Sequence, residues 1–160
     1  MNRTRTYNWE DPTISAKASQ QLSGLEFLLA IKNGELPQPP IFATMDFESI
    51  EVAEGKVSFF FRPQEFHYNP IGMVHGGVMS TILDSAMGCT VHSALPAGVG
   101  YTSLELKVNF LRPVTLNVGL LKCEGNLINL GQRTALVEAK LLDENQKLYA
   151  HGVSTCMIFR

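Results

Sequence analysis

The sequence predicts an α+β fold: an antiparallel sheet wrapped around one long central helix, with an extra helix at the N-terminus. Three observations predict it. Val78, Met79, Ile82, Leu83, Ala86 and Met87 recur at spacings of three and four, the pattern of a helix with a wide apolar face. Segments before and after that run alternate with a period of two, as half-buried strands do. The clearest is 101–112, where Thr102, Leu104, Leu106, Val108 and Phe110 share one side. Glycine, proline and polar clusters then separate the segments as turns should.

Taken in order, residues 1–12 are polar and irregular, end in Asp11-Pro12, and are expected to be loose. Thr13 is placed to cap a helix. Leu22, Leu25, Phe27, Leu28, Leu29 and Ile31 give 14–32 an amphipathic pattern, which Asn33-Gly34 and then Pro37, Pro39 and Pro40 terminate. Strands are expected at 41–52 and 56–62, joined by a turn at Glu54-Gly55, with Pro63 ending the second. The central helix follows. After the break at Leu95-Pro96-Ala97-Gly98 come strands at 101–112, 116–128, 133–142 and 147–159, with Gly131 and Asp143-Glu144-Asn145-Gln146 in the turns. The expected division is therefore an N-terminal extension over 1–40 carrying one amphipathic helix, and a main domain over 41–160.

Length and composition narrow the function classes. A chain of 160 residues, 45% hydrophobic and 18% charged, is large enough for its own core and too apolar for disorder. A net charge of −2 gives no electrostatic reason to propose a nucleic-acid partner. Cys89, Cys123 and Cys156 are odd in number and sit in apolar segments, so reduced core thiols are expected. Arg3 and Arg5 have no apolar run behind them, and no apolar stretch persists for ~18 residues. A cytoplasmic protein without a membrane partner is the default. His67, His75, His92 and His151 lack metal-ligand spacing, and phosphate-loop and dinucleotide fingerprints are missing, so neither metal nor bound cofactor is expected.

The chemistry concentrates in His67 to Gly88. The central helix opens at His75-Gly76-Gly77, and its first N–H groups lack intrahelical partners. Together with the positive end of the helix dipole they can hold an anion or a carbonyl oxygen becoming one. The opposite stripe, Ser80, Thr81, Asp84, Ser85 and Gly88, contains one ionisable group, Asp84. It suits a general base toward water or a direct nucleophile. The plainer alternatives are that Gly76-Gly77 is only a turn and Asp84 only a solvated carboxylate. Gly76 and Asp84 are eight residues apart, about 12 Å along a helix axis, too far to serve one carbonyl within one chain. Two antiparallel central helices in a two-fold dimer would bring them together, and shared active sites are therefore expected.

The run His67-x-Asn69-x-x-Gly72-x-x-His75-Gly76-Gly77, followed by Leu83-Asp84 and later by Ser103-Leu104-Glu105-Leu106-Lys107-Val108-Asn109-Phe110-Leu111-Arg112-Pro113, resembles the hot-dog-fold acyl-CoA thioesterases. Within them it is similar to the phenylacetate-pathway, PaaI-like branch, in element order over roughly 41–158. The resemblance implies hydrolysis of an aromatic or short- to medium-chain acyl-CoA to free acid and CoA, by homodimers that often pair into tetramers. It assigns an oxyanion-holding N–H to Gly76, the base or nucleophile to Asp84 and positioning of thioester or water to Asn69. His75 would orient the Gly-Gly turn or be satisfied by backbone hydrogen bonds. Ser103 would help hold the water, with Thr102 beside it leaving the register open by one residue. Two other classes stay open: a hot-dog hydratase or dehydratase, and a non-catalytic acyl-CoA-binding protein.

Overall fold

A computed structural model describes residues 2–159; the outermost residues of the two expected domains, Met1 and Arg160, lie outside the described residues. The central helix spans Gly76–Ser93 (α4) and buries Met79, Ile82, Leu83, Ala86 and Met87 of the expected apolar face, leaves Val78 half-buried and adds Val91. Around it curves a seven-stranded antiparallel sheet of strands Phe47–Ala53 (β1), Lys56–Phe61 (β2), Gly100–Ser103 (β3), Lys107–Phe110 (β4), Leu121–Leu130 (β5), Thr134–Asp143 (β6) and Leu148–Phe159 (β7). The order is β1-β2-β5-β6-β7-β3, and β4 also pairs with β7. This is the hot-dog arrangement.

The sheet is shaped for the helix by small residues. Gly125 of β5 pairs with Ala139 of β6, which pairs with Gly152 of β7, making a low row across three strands. A Cβ at Gly125 would stand 2.2 Å from Thr90 Oγ1 and 2.7 Å from the Ala86 carbonyl, so α4 lies directly on the sheet there. Polar ties fix its rotation: the Val57 N–H donates to Thr90 Oγ1 and the Gly55 N–H to Ser93 Oγ. Phe42, Phe47, Phe59 and Phe61 fill one end of the core with ring centroids 5.3–6.4 Å apart. Each such fully buried side chain contributes about 1.5–3 kcal/mol.

Six expectations need correction. The N-terminal helix is two helices, Pro12–Ala18 (α1) and Gly24–Lys32 (α2). The first ends at Ala18 with Ser19 as its cap, and the Ser23 hydroxyl and Glu26 carboxylate then form a capping box that starts α2 afresh. The cap of α1 is Asp11, whose carboxylate accepts from the Thr13 N–H, with Pro12 at the first helical position; Thr13 is already inside. Residues 2–11 are irregular but tied down. Arg5 donates to the Thr44 and Ala43 carbonyls and lies 4.0 Å over the Phe66 ring, while Arg3 pairs with Glu65.

The expected strand at 41–52 starts as a short helix, Pro40–Met45 (α3), entered through prolines and left through Asp46 in the left-handed region, φ 56°. The strand at 101–112 is interrupted between β3 and β4. Here Glu105 takes over ladder bonds, its Oε1 accepting from the Thr155 N–H and its carbonyl from Ser154 Oγ. The first residues of the strand expected at 116–128 form a 3-10 turn over Leu116–Val118, and positive φ at Gly119 delays the strand to Leu121. The three cysteines are free thiols, as expected. Among the described residues, no helix is long and apolar enough to cross a membrane.

Candidate active site

His75 caps α4. Its Nδ1 accepts the Gly77 N–H at 2.8 Å, which leaves the ring proton on Nε2, and its own N–H donates to the His67 carbonyl. With Gly77 occupied by this cap, the Gly76 N–H at the positive end of the helix has no acceptor among the described residues. The Phe110 ring packs against the Cα of Gly76: a Cβ there would stand 3.2 Å from Cζ.

Asn69 belongs to the loop leading into α4. Its Oδ1 accepts from the Ile71 and Met73 N–H groups at 3.0 and 3.2 Å, so the side chain holds the loop in shape and leaves its NH₂ uncommitted. Asn69 and Gly76 line one cleft together with Met73, Met79, Phe110 and Arg112. His67, in the same motif, is buried and works for the fold. Its Nδ1 accepts from the Gln64 N–H, and Nε2 donates to the Met45 carbonyl. Burial, first among several influences, holds its imidazole below the ordinary pKa.

Asp84 sits two turns along α4, exposed, and one of its oxygens accepts from Ser103 Oγ at 3.0 Å. Of the neighbours Thr102 and Ser103, it is therefore Ser103 that faces the helix. Asp84 and Gly76 occupy different turns of one helix, so the geometry gathers the predicted residues into two groups: Asn69, His75 and Gly76 at the N-terminus, Asp84 and Ser103 farther along.

One neighbour was not singled out by sequence reasoning. Tyr101 shares the Ser103 side of β3, and its hydroxyl presses on Gly88, where a Cβ would come within 2.8 Å. The one signal was a glycine inside an otherwise good helix. Cys89 is near the same region, its thiol pushed up to about 12 by burial and by Asp84.

A long helix held in a curved antiparallel sheet defines the hot-dog class, and this one carries an uncommitted N-terminal amide and, farther along, a serine-held carboxylate. Residues 71–150 match the Thioesterase superfamily, and the chain belongs to that family. It is 27% identical over 115 residues to the 1,4-dihydroxy-2-naphthoyl-CoA hydrolase of Listeria monocytogenes, covering 72% of this chain and 90% of that protein. Among solved structures it resembles a phenylacetic acid degradation-related protein from Ralstonia eutropha JMP134, with 28% identity and TM-score 0.73 over 81% of this chain and 98% of that one. It also resembles smu.793 of Streptococcus mutans bound to acetyl-CoA, with 22% identity and TM-score 0.64 over 71% and 88% of the two chains; that likeness is one of fold.

Proposed function

We propose that the protein hydrolyses acyl-CoA thioesters, with each active site assembled from two copies of the chain. The observation that carries this reading is the separation of an uncommitted oxyanion donor, Gly76 N–H, from a serine-held carboxylate, Asp84, by about 12 Å of one helix. Neither half suffices alone, and antiparallel pairing of α4 with a second copy would oppose them twice. The surface supports such pairing. β3 and β4 form a free sheet edge, with Leu104 52% and Phe110 51% exposed and Leu106 and Leu111 beside them. The names of the CoA-thioester relatives support the substrate class.

In this reading the thioester carbonyl accepts from Gly76 N–H, and Asn69 helps seat it. Asp84, steadied by Ser103, draws a proton from water as the water oxygen attacks the carbonyl carbon, or attacks that carbon itself. The oxyanion so formed is held at the N-terminus of α4. It collapses with loss of the CoA thiolate, which in the first route takes back the proton held by Asp84; after direct attack, water then cleaves the acyl-enzyme anhydride, regenerating the Asp84 carboxylate and supplying the proton that the thiolate takes up.

A mixing experiment tests the sharing of sites. Asn69→Ala and Asp84→Asn homodimers, each expected to be inactive, are unfolded together and refolded. Hybrids then carry one doubly damaged and one intact site. With about half the dimers hybrid, recovery approaches roughly a quarter of the unmutated activity. No recovery, with hybrids confirmed by native mass spectrometry, means that both residues act within one chain.

A further inference from the structure

Beyond the Asp84–Ser103 pair, α4 and β3 continue side by side. Ser103 meets Asp84, Tyr101 meets Gly88 one turn on, and past them opens a cavity of about 560 Å³ bounded by Cys89, His92 and Tyr101. Its roof comes from the N-terminal segment, with Ala16 of α1, Phe27 of α2 and Phe42 of α3 among its residues.

The lining is apolar with few polar groups free to meet a ligand. The Ser15 and Ser19 hydroxyls are committed to the Pro37 and Ala16 carbonyls. The Tyr101 hydroxyl makes no hydrogen bond among the described residues. His92 Nδ1 is, among the described residues, the one buried side-chain nitrogen or oxygen without a partner. Burial lowers the pKa of His92, so its ring is neutral and carries one N–H. A buried orphan N–H is rarer than an orphan acceptor, which puts the proton on Nε2. His92 lines the cavity, its ring lying against Phe27 and Tyr101, and Nε2 makes no hydrogen bond among the described residues.

We infer that this cavity receives the acyl group, and that the preferred substrates are medium-length acyl thioesters bearing an uncharged oxygen, hydroxyl or carbonyl, at the far end, where it accepts a hydrogen bond from His92. The inference rests on the thioesterase reading above. Length follows from the helix: Asp84 and His92 are eight residues apart, about 12 Å, which an acetyl group does not span. Absence of charge follows from the lining, which contains no lysine or arginine to compensate a buried carboxylate. The oxygen follows from the donors, which a purely hydrocarbon chain would leave unmatched.

The test compares acyl groups of equal heavy-atom count, ω-hydroxyoctanoyl-CoA and nonanoyl-CoA, with acetyl-CoA as the short control. The expected kcat/KM of the unmutated protein is about tenfold higher for the hydroxylated chain, and acetyl-CoA is poorest. In a pocket without a partner the hydroxyl would lose hydration for nothing, so a preference for nonanoyl-CoA overturns the inference without any variant. His92→Phe keeps the ring but removes both nitrogens; it should abolish the preference by lowering hydrolysis of the hydroxylated chain alone. An unchanged ratio in a folded variant also overturns it. Failure to hydrolyse any acyl-CoA refutes the thioesterase reading instead. The pocket is then read from calorimetric Kd values for thioether analogues of the same two chains, where equal affinities refute it.

Discussion

Ser103 Oγ donates to Asp84 Oδ1 at 3.0 Å, joining the free edge of the sheet to the middle of the central helix. The bond occupies one carboxylate oxygen and leaves the other without a donor among the described residues, so the two residues should differ in how much activity they carry.

Asp84→Asn should retain the fold and lose roughly 10²–10⁴-fold in turnover, because the amide neither accepts a proton nor attacks a carbonyl. Ser103→Ala should cost only about tenfold, the scale of one charge-assisted hydrogen bond. Single-turnover hydrolysis by the two purified variants checks the order; an alanine at 103 more damaging than the asparagine at 84 would reverse the assignment.

Gly76→Ala separates activity from stability. Alanine is a better helix residue than glycine by up to about 1 kcal/mol, so the thermal midpoint should hold or rise. The added methyl, 3.2 Å from Phe110 Cζ, pushes on a ring that lines the same cleft as the uncommitted N–H, and kcat should fall at least about tenfold. Calorimetry and steady-state kinetics on one preparation decide it: full activity would mean that the Phe110–Gly76 contact is irrelevant to turnover.

Folding stability should weaken on mild acidification. Burial holds the folded-state pKa of His67 below the ordinary value near 6.5, and its Nδ1 is already engaged by the Gln64 N–H. Between those two values the unfolded chain binds a proton that the folded chain refuses. Stability is therefore lost as pH falls from about 6.5 toward the folded value, and this contribution levels off beneath it. His92, also lowered by burial, acts with the same sign. Urea midpoints at about pH 7.5 and about pH 5.5 should differ, and His67→Gln should flatten the difference; an unchanged slope would assign it elsewhere.

Cys89→Ala should keep hydrolysis within about threefold, because a thiol held near 12 is thiolate on the order of 10⁻⁵ of the time at neutral pH. Native protein should correspondingly resist iodoacetamide while unfolded chain reacts. Rapid alkylation with loss of activity would make the cysteine a participant.

What could be read in advance was what depends on near neighbours in the chain. The apolar stripe of α4 follows from a spacing of three and four, and its opening at His75-Gly76-Gly77 follows from residue types that cap and bend. The strands from 121 onward came from simple alternation. Even the break at Ser23 was local, a Ser-x-x-Glu start signal inside a run that apolar spacing alone reads as one helix. Tertiary structure decided the rest, because the causes lie far apart in sequence. The interruption between β3 and β4 needs Glu105 to meet Ser154 and Thr155. The choice of Ser103 over Thr102 needs β3 laid against α4. The low row of Gly125, Ala139 and Gly152 has meaning only once three strands pair, and the cavity at His92 exists only once α1, α2 and α3 close over the end of the central helix. Periodicity tells which face of each element is apolar; packing alone tells which element that face will meet.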